Sequence, residues 1–186
     1  MKSFLPKRMH MNKSRFKKKI LIWDFVCLVL LNILDRLAKY ASYYYCENEN
    51  FILIKDYLEI TYTPNSGGAF GILYNQRFFF IFIAALFICL IVFFLFALPD
   101  DGKFNALHIW LSFILSGTIG NMADRIIYGN VIDMIYISKI DFPIFNLSDI
   151  FISLGTIFTS IVVLFILKEK DFEFLNFKQN KYREIK

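Results

Sequence analysis

The chain has 186 residues, about the length of one domain. Hydrophobic residues make up 57% of it and the mean hydropathy is +0.50, which excludes an ordinary soluble domain. The formal charge of +5 lies mostly in the two tails and forms no basic face interleaved with folded structure, so nucleic acid is excluded as a partner.

Residues 1–19 read as a basic tail. Residues 20–41, ILIWDFVCLVLLNILDRLAKYA, match the roughly 20 residues that cross a bilayer. A cleaved secretory signal is the rival reading, but the apolar region is too long and has no small-x-small cleavage site. Tyr43, Tyr44 and Tyr45 are too bulky for a lipobox ending at Cys46. With the tail held in the cytoplasm by its charge, this first span runs outward. Asp24 then lies toward its inner end and is expected to reach the headgroups. Asp35, Arg36 and Lys39 lie toward the outer end, beside a tyrosine belt. Asp35 and Lys39 have the spacing and order of a helical ion pair. Either that pair makes the helix end tolerable or its members act at a site.

Residues 46–76 are polar enough for water. Within them YLEITYT alternates like a strand, which Pro64 is expected to end. The glycine-rich stretch from Asn65 through Gly67 and Gly68 to Gly71 reads either as a plain turn or as a place where the Asn65 amide holds another chain segment. Residues 78–98 form a second, uncharged span. Residues 106–127 form a third, whose Gly117 and Gly120 let a neighbouring helix approach. Asn121, Asp124 and Arg125 share one face at its outer end, as a network that locks the helix or as part of a site. Residues 128–146 read as an outer loop and 149–167 as the fourth span. The basic tail 168–186 follows, again cytoplasmic. Cys27, Cys46 and Cys89 read as free thiols, and no Cys/His cluster suggests a metal. The fold expected is an all-α membrane protein of four spans, the protein domain covering 20–167. Its small β-containing extracytoplasmic segment lies between the first and second spans.

This topology gathers Asp35, Lys39, Asn65, Asn121, Arg125, Asp133, Asn146 and Asp149 at one membrane face. Ionisable groups at such depth are costly and mark functional sites. Asp133 follows the third span and Asp149 opens the fourth, so a hairpin between them brings two carboxylates together. Such a pair shares a proton and suits amide hydrolysis, one member as base and the other as acid. His10 and His108 lie at the inner end, which leaves no outer-face histidine for a serine triad. Ser66 and Ser148 lack a base unless Lys39 provides one.

Four motifs in order carry a resemblance: DRLAK from Asp35, NSGGAFG from Asn65, GNMADRIIYGNVIDMI from Gly120 and FNLSD ending at Asp149. From Asp35 to about Leu167 the chain resembles the bacterial lipoprotein signal peptidases (signal peptidase II), membrane aspartyl proteases that process prolipoproteins. The resemblance implies that Asp133 and Asp149 are the catalytic pair. It implies that Asn65, Gly67, Asn121, Asp124, Arg125 and Asn146 support the site or contact substrate, and that Asp35 and Lys39 act less directly. It also implies diacylglyceryl-modified prolipoprotein substrates cut just before the lipidated cysteine, contact with membrane lipids, and no cofactor. Inhibition by globomycin-type cyclic peptides, a monomeric state and a bacterial inner-membrane location follow on the same ground. Ser148 stands where the family usually has Ala, Met134 where Phe is common, and Gly68 where Ala is frequent. The other readings are a small transporter or channel subunit with an acidic outer cluster and a purely structural membrane partner. A transporter would place acids near the midplane of several spans, which this pattern does not.

Overall fold

The computed structural model describes residues 7–68 and 72–175, with side chains described from Lys17 onward. The expected basic residues Lys2, Lys178, Lys181, Arg183 and Lys186, and Ala69 to Gly71 of the glycine-rich motif, lie outside that description. Helix α1 (Lys7–Cys46) is followed by strands β1 (Phe51–Ile54) and β2 (Leu58–Asn65), then α2 (Arg77–Ala97) and α3 (Asn105–Tyr128). Strand β3 (Val131–Tyr136) and helix α4 (Leu147–Ile161) come next, and a π-turn prolongs α4 to Ile166.

Among the described residues three helical stretches are long and apolar enough to cross a membrane: Arg77–Ala97, Gly102–Tyr128 and Leu147–Ile166. The remaining helix, α1, has 40 residues and a mixed composition, and has no break at Ile20 between its basic and apolar runs. Its composition is mixed along its length, basic before Ile20 and mostly apolar after it, and from Trp23 to Lys39 its sides differ as well. Asp35 and Lys39 are each 1% exposed and face the other helices, whereas Trp23, Phe25, Leu30 and Leu37 point outward. The apolar side is the one left uncovered.

The helices alternate in direction. Along α1 and α3 the contacts Asp24–His108, Asn32–Ser116 and Lys39–Asp124 advance together, so these two run parallel. Helix α4 opposes α3, with Ser148 against Gly117 and Gly120 at one end and Gly155 against Trp110 and Ile114 at the other. These glycines are required by that approach. A Cβ on Gly117 would overlap the Ser148 carbonyl oxygen, and one on Gly155 would sit 2.7 Å from the Trp110 carbonyl oxygen. Where lipid is as apolar as the side chains, such close backbone packing replaces the hydrophobic drive that holds soluble helices together.

A three-stranded antiparallel sheet of order β1-β2-β3 caps the end where α1 and α3 finish. Two expectations change here. The β structure is not confined to the segment between the first two apolar runs, because residues 128–146 supply β3. Pro64 does not end β2 either: it stands opposite Ile132, and Asn65 opposite Val131. Strand β1 covers β2 only from Leu58 to Ile60, so Pro64 has no second neighbour that needs its missing N–H. At the opposite end Leu98, Phe104, Leu107, Val162 and Leu167 form a small core, against which Phe172 and Phe174 pack. Asp24 does not reach outward as expected. It is buried, with Oδ2 2.7 Å from His108 Nδ1.

Candidate active site

Local sequence sets the first carboxylate. Asn146 is the N-cap of α4 and Asp149 its third helical residue, and the two close a capping box. The Asp149 N–H donates to Asn146 Oδ1 at 3.0 Å, and the Asn146 N–H donates to Asp149 Oδ2 at 3.1 Å. The other oxygen, Oδ1, accepts from Asn121 Nδ2 of α3 at 2.8 Å.

The second carboxylate comes from the sheet. Helix α3 stops at Gly129, whose φ of 85° is left-handed, and Arg77 Nη2 donates to the carbonyl of Ile126 at 2.8 Å. The chain then turns directly into β3, which carries Asp133. Asp133 Oδ2 accepts from Asn65 Nδ2 at 2.8 Å, and Oδ1 accepts from Asn146 Nδ2 at 2.6 Å. The Asn65 amide is itself fixed, because its Oδ1 accepts from the Gly67 N–H at 2.9 Å.

Among the described residues each carboxylate thus has one N–H donor on each oxygen and no cation in contact. Asn146 is fully buried and joins the two, its side-chain amide on Asp133 and its backbone N–H on Asp149. Burial pushes the Asp133 carboxyl up to about 6, and the nearby Asp149 charge adds to this. The Asn65 and Asn146 hydrogen bonds oppose the rise without cancelling it. A carboxyl held there gives up and takes back a proton near neutral pH, which acid–base catalysis needs.

An ionic cluster lies behind the pair. Lys39 Nζ is 2.8 Å from Asp35 Oδ2 and 2.7 Å from Asp124 Oδ2, and donates to Asn121 Oδ1 at 3.4 Å. Asp35 Oδ1 accepts from the Ser148 N–H at 3.0 Å. Arg36 Nη1 lies 2.7 Å from Asp124 Oδ1, a charge contact whose angle falls short of a hydrogen bond. Two acids and two bases balance, as buried charges must. The cluster reaches the site through Asn121: Lys39 faces its oxygen, so its NH2 faces Asp149.

Arg125 touches neither carboxylate. Its Nη2 donates to the Gly67 carbonyl at 3.0 Å and its plane lies 4.5 Å over the Phe80 ring, which ties the Asn65 turn to α3. Asp141, the remaining acid between Asp133 and Asp149, accepts from the Tyr136 hydroxyl at an exposed position and stays apart from the pair. Ser148 Oγ has no hydrogen-bond partner and lies beside Gly120 in the α3–α4 contact, so Lys39 does not activate it. Sequence reasoning missed Arg36 as part of the cluster. The charge count held the signal, since Asp35 and Asp124 at one face leave Lys39 one cation short.

The comparisons with known proteins meet this geometry. Residues 27–165 match the family model described as signal peptidase (SPase) II. The chain belongs to the signal peptidase II family. It is 41% identical to the lipoprotein signal peptidase of Clostridium tetani over 154 residues, 81% of this chain and 96% of that one. Its identity to the enzyme of that name from Brevibacillus brevis is 38%, over 72% of this chain and 89% of the relative. Two solved structures described as a bacterial membrane enzyme each align with a TM-score of 0.68. They are 29% and 28% identical, over 76% and 77% of this chain and 87% and 94% of theirs. The matched span of this signal peptidase II member contains both carboxylates and every side chain bonded to them.

Proposed function

We propose that this lipoprotein signal peptidase, an aspartic peptidase, cuts diacylglyceryl-modified prolipoproteins just before the lipidated cysteine, with Asp133 and Asp149 as its catalytic pair. The observation that carries the reading is that buried Asn146 joins the two carboxylates. The pair carries one proton. The ionised member takes a proton from a water as it attacks the scissile carbonyl, and the protonated member donates to the carbonyl oxygen. Collapse of the tetrahedral intermediate breaks the C–N bond. In that collapse one member takes a proton back from a hydroxyl of the intermediate while the other gives its proton to the leaving amine, so the pair recovers its one-proton starting state. The proton belongs to the coupled pair rather than to one residue. Asn65, Asn121 and Asn146 hold the carboxylates, Gly67 and Arg125 fix the turn over them, and Asp35, Lys39 and Asp124 fix Asn121.

All four helices cross the membrane in this reading, α1 among them because its polar side faces inward. Basic residues at the end away from the sheet, among them Lys17, Lys18, Lys19, Lys168 and Lys170, support a cytoplasmic side for that end and both termini. The sheet and the carboxylates then face outward at the bacterial inner membrane, with the substrate's signal helix and lipids beside α1 to α4. The enzyme acts as a monomer, needs no cofactor, and is blocked by globomycin-type cyclic peptides. The test is incubation of the purified chain in nanodiscs with a diacylglyceryl-modified prolipoprotein, followed by gel shift and mass analysis. The expected product begins at the lipidated cysteine and disappears with the cyclic peptide. An intact substrate beside a well-folded enzyme would overturn the reading.

A further inference from the structure

Strand β1 presents an unusual surface. Phe51, Ile52, Leu53 and Ile54 are consecutive, apolar and each between 51 and 59% exposed, on both faces of the strand. Among the described residues the strand is also the free edge of the sheet, since its partner β2 lies on one side alone. A second protein docking on one face would leave the other apolar face in water. A peptide strand pairing with the edge would cover backbone and leave both faces bare. What covers both at once is a surrounding medium.

The position of the strand names that medium. Four residues separate Phe51 from Cys46, the last residue of α1, whose final turns expose Tyr40, Tyr44 and Tyr45 as an interfacial ring. Tyr43 of α1 packs edge-on against Tyr62 of β2, ring centroids 5.2 Å apart, and so fixes the sheet against that ring. The depth of β1 is limited from two directions. Unpaired edge N–H and C=O groups need water, which the hydrocarbon layer does not supply. Lys55 and the left-handed Asp56 at the turn need water as well.

We propose that β1 is a lipid-binding strand, immersed in the headgroup and upper acyl layer of the outer leaflet with phospholipid as its partner. It holds the sheet, and with it Asn65 and Asp133, at a fixed height over the bilayer where a lipidated substrate arrives. The proposal rests on the membrane placement given above.

The test is carbene labelling of the wild-type chain in phosphatidylethanolamine–phosphatidylglycerol nanodiscs. One probe is a phospholipid with a diazirine near the ester end of its acyl chain, the other a water-soluble diazirine, and adducts are mapped by mass spectrometry. Phe87 of α2 reports the membrane placement independently. The proposal predicts lipid adducts on residues 51–54 as well as on α2, and their loss when Ile52→Asp and Ile54→Asp are combined. Lipid adducts on α2 but only aqueous adducts on 51–54 would overturn the proposal and leave the placement standing. Aqueous adducts on both would overturn both. Protection of 51–54 from both probes would point to a protein partner and also overturn it.

Discussion

Asn146 meets three demands with one side chain and one N–H: it caps α4, holds Asp149 and holds Asp133. Asn146→Ala removes the cap and the Asp133 tether together. The expected cost is about 1 kcal/mol of stability for the cap, and a loss of roughly 100-fold or more in kcat/KM from misplaced catalytic groups. Cleavage kinetics beside a thermal midpoint in detergent separate the two effects. Asp133 carries a linked stability cost. Its folded carboxyl holds its proton up to about 6, above its usual 3.8, so the folded chain keeps a proton that the unfolded chain releases between these values. Stability from this group is therefore present at pH 4 and lost as pH rises past 6. The difference in stability between wild type and Asp133→Asn should change by up to about 3 kcal/mol across that window. Measured midpoints at pH 4 and 7 check the sign. Both carboxylates were legible in the sequence, as acids at the edges of apolar runs. Which atom of which asparagine holds them was not, because an amide has two ends and only the folded partners decide between them.

At the scale of the element, the seam between α3 and α4 decides whether the two carboxylates meet. Gly117→Ala must push Ser148 and the start of α4 away from α3, which should cost about 1–3 kcal/mol and reduce cleavage as well. Ser148→Ala sits in the same seam with the opposite expectation. It removes a buried hydroxyl that has no partner, so the midpoint should hold or rise while cleavage persists. A parallel thermal and activity series on these two variants checks the contrast. The glycines were readable as a helix contact because their spacing is local. Strand β3 was not readable as a strand: VIDMIY alternates weakly, and its pairing with β2 is fixed by residues more than sixty positions away. Pro64 misled for the same reason. Its local rule was sound, but β1 is too short to need its N–H.

The whole molecule is a membrane protein turned inside out along α1, with charge inside and apolar side chains outside. Length and composition disclosed α2, α3 and α4 as whole helices, whereas the apolar run 20–41 is only part of α1, which continues from the basic residues before it. The proposed orientation predicts that Lys139→Cys, near the sheet, reacts with an impermeant maleimide added to intact cells, and that Lys170→Cys reacts only after lysis. The reverse pattern would invert the molecule and put the site in the cytoplasm. Above all, one proton shared by the two carboxylates is proposed to do the chemistry. The measurement that bears on this most directly is cleavage of a diacylglyceryl-modified prolipoprotein by wild type, Asp133→Asn and Asp149→Asn, each shown to be folded by its thermal midpoint. Cleavage by wild type alone is the expected result. Cleavage surviving in either folded variant would contradict it.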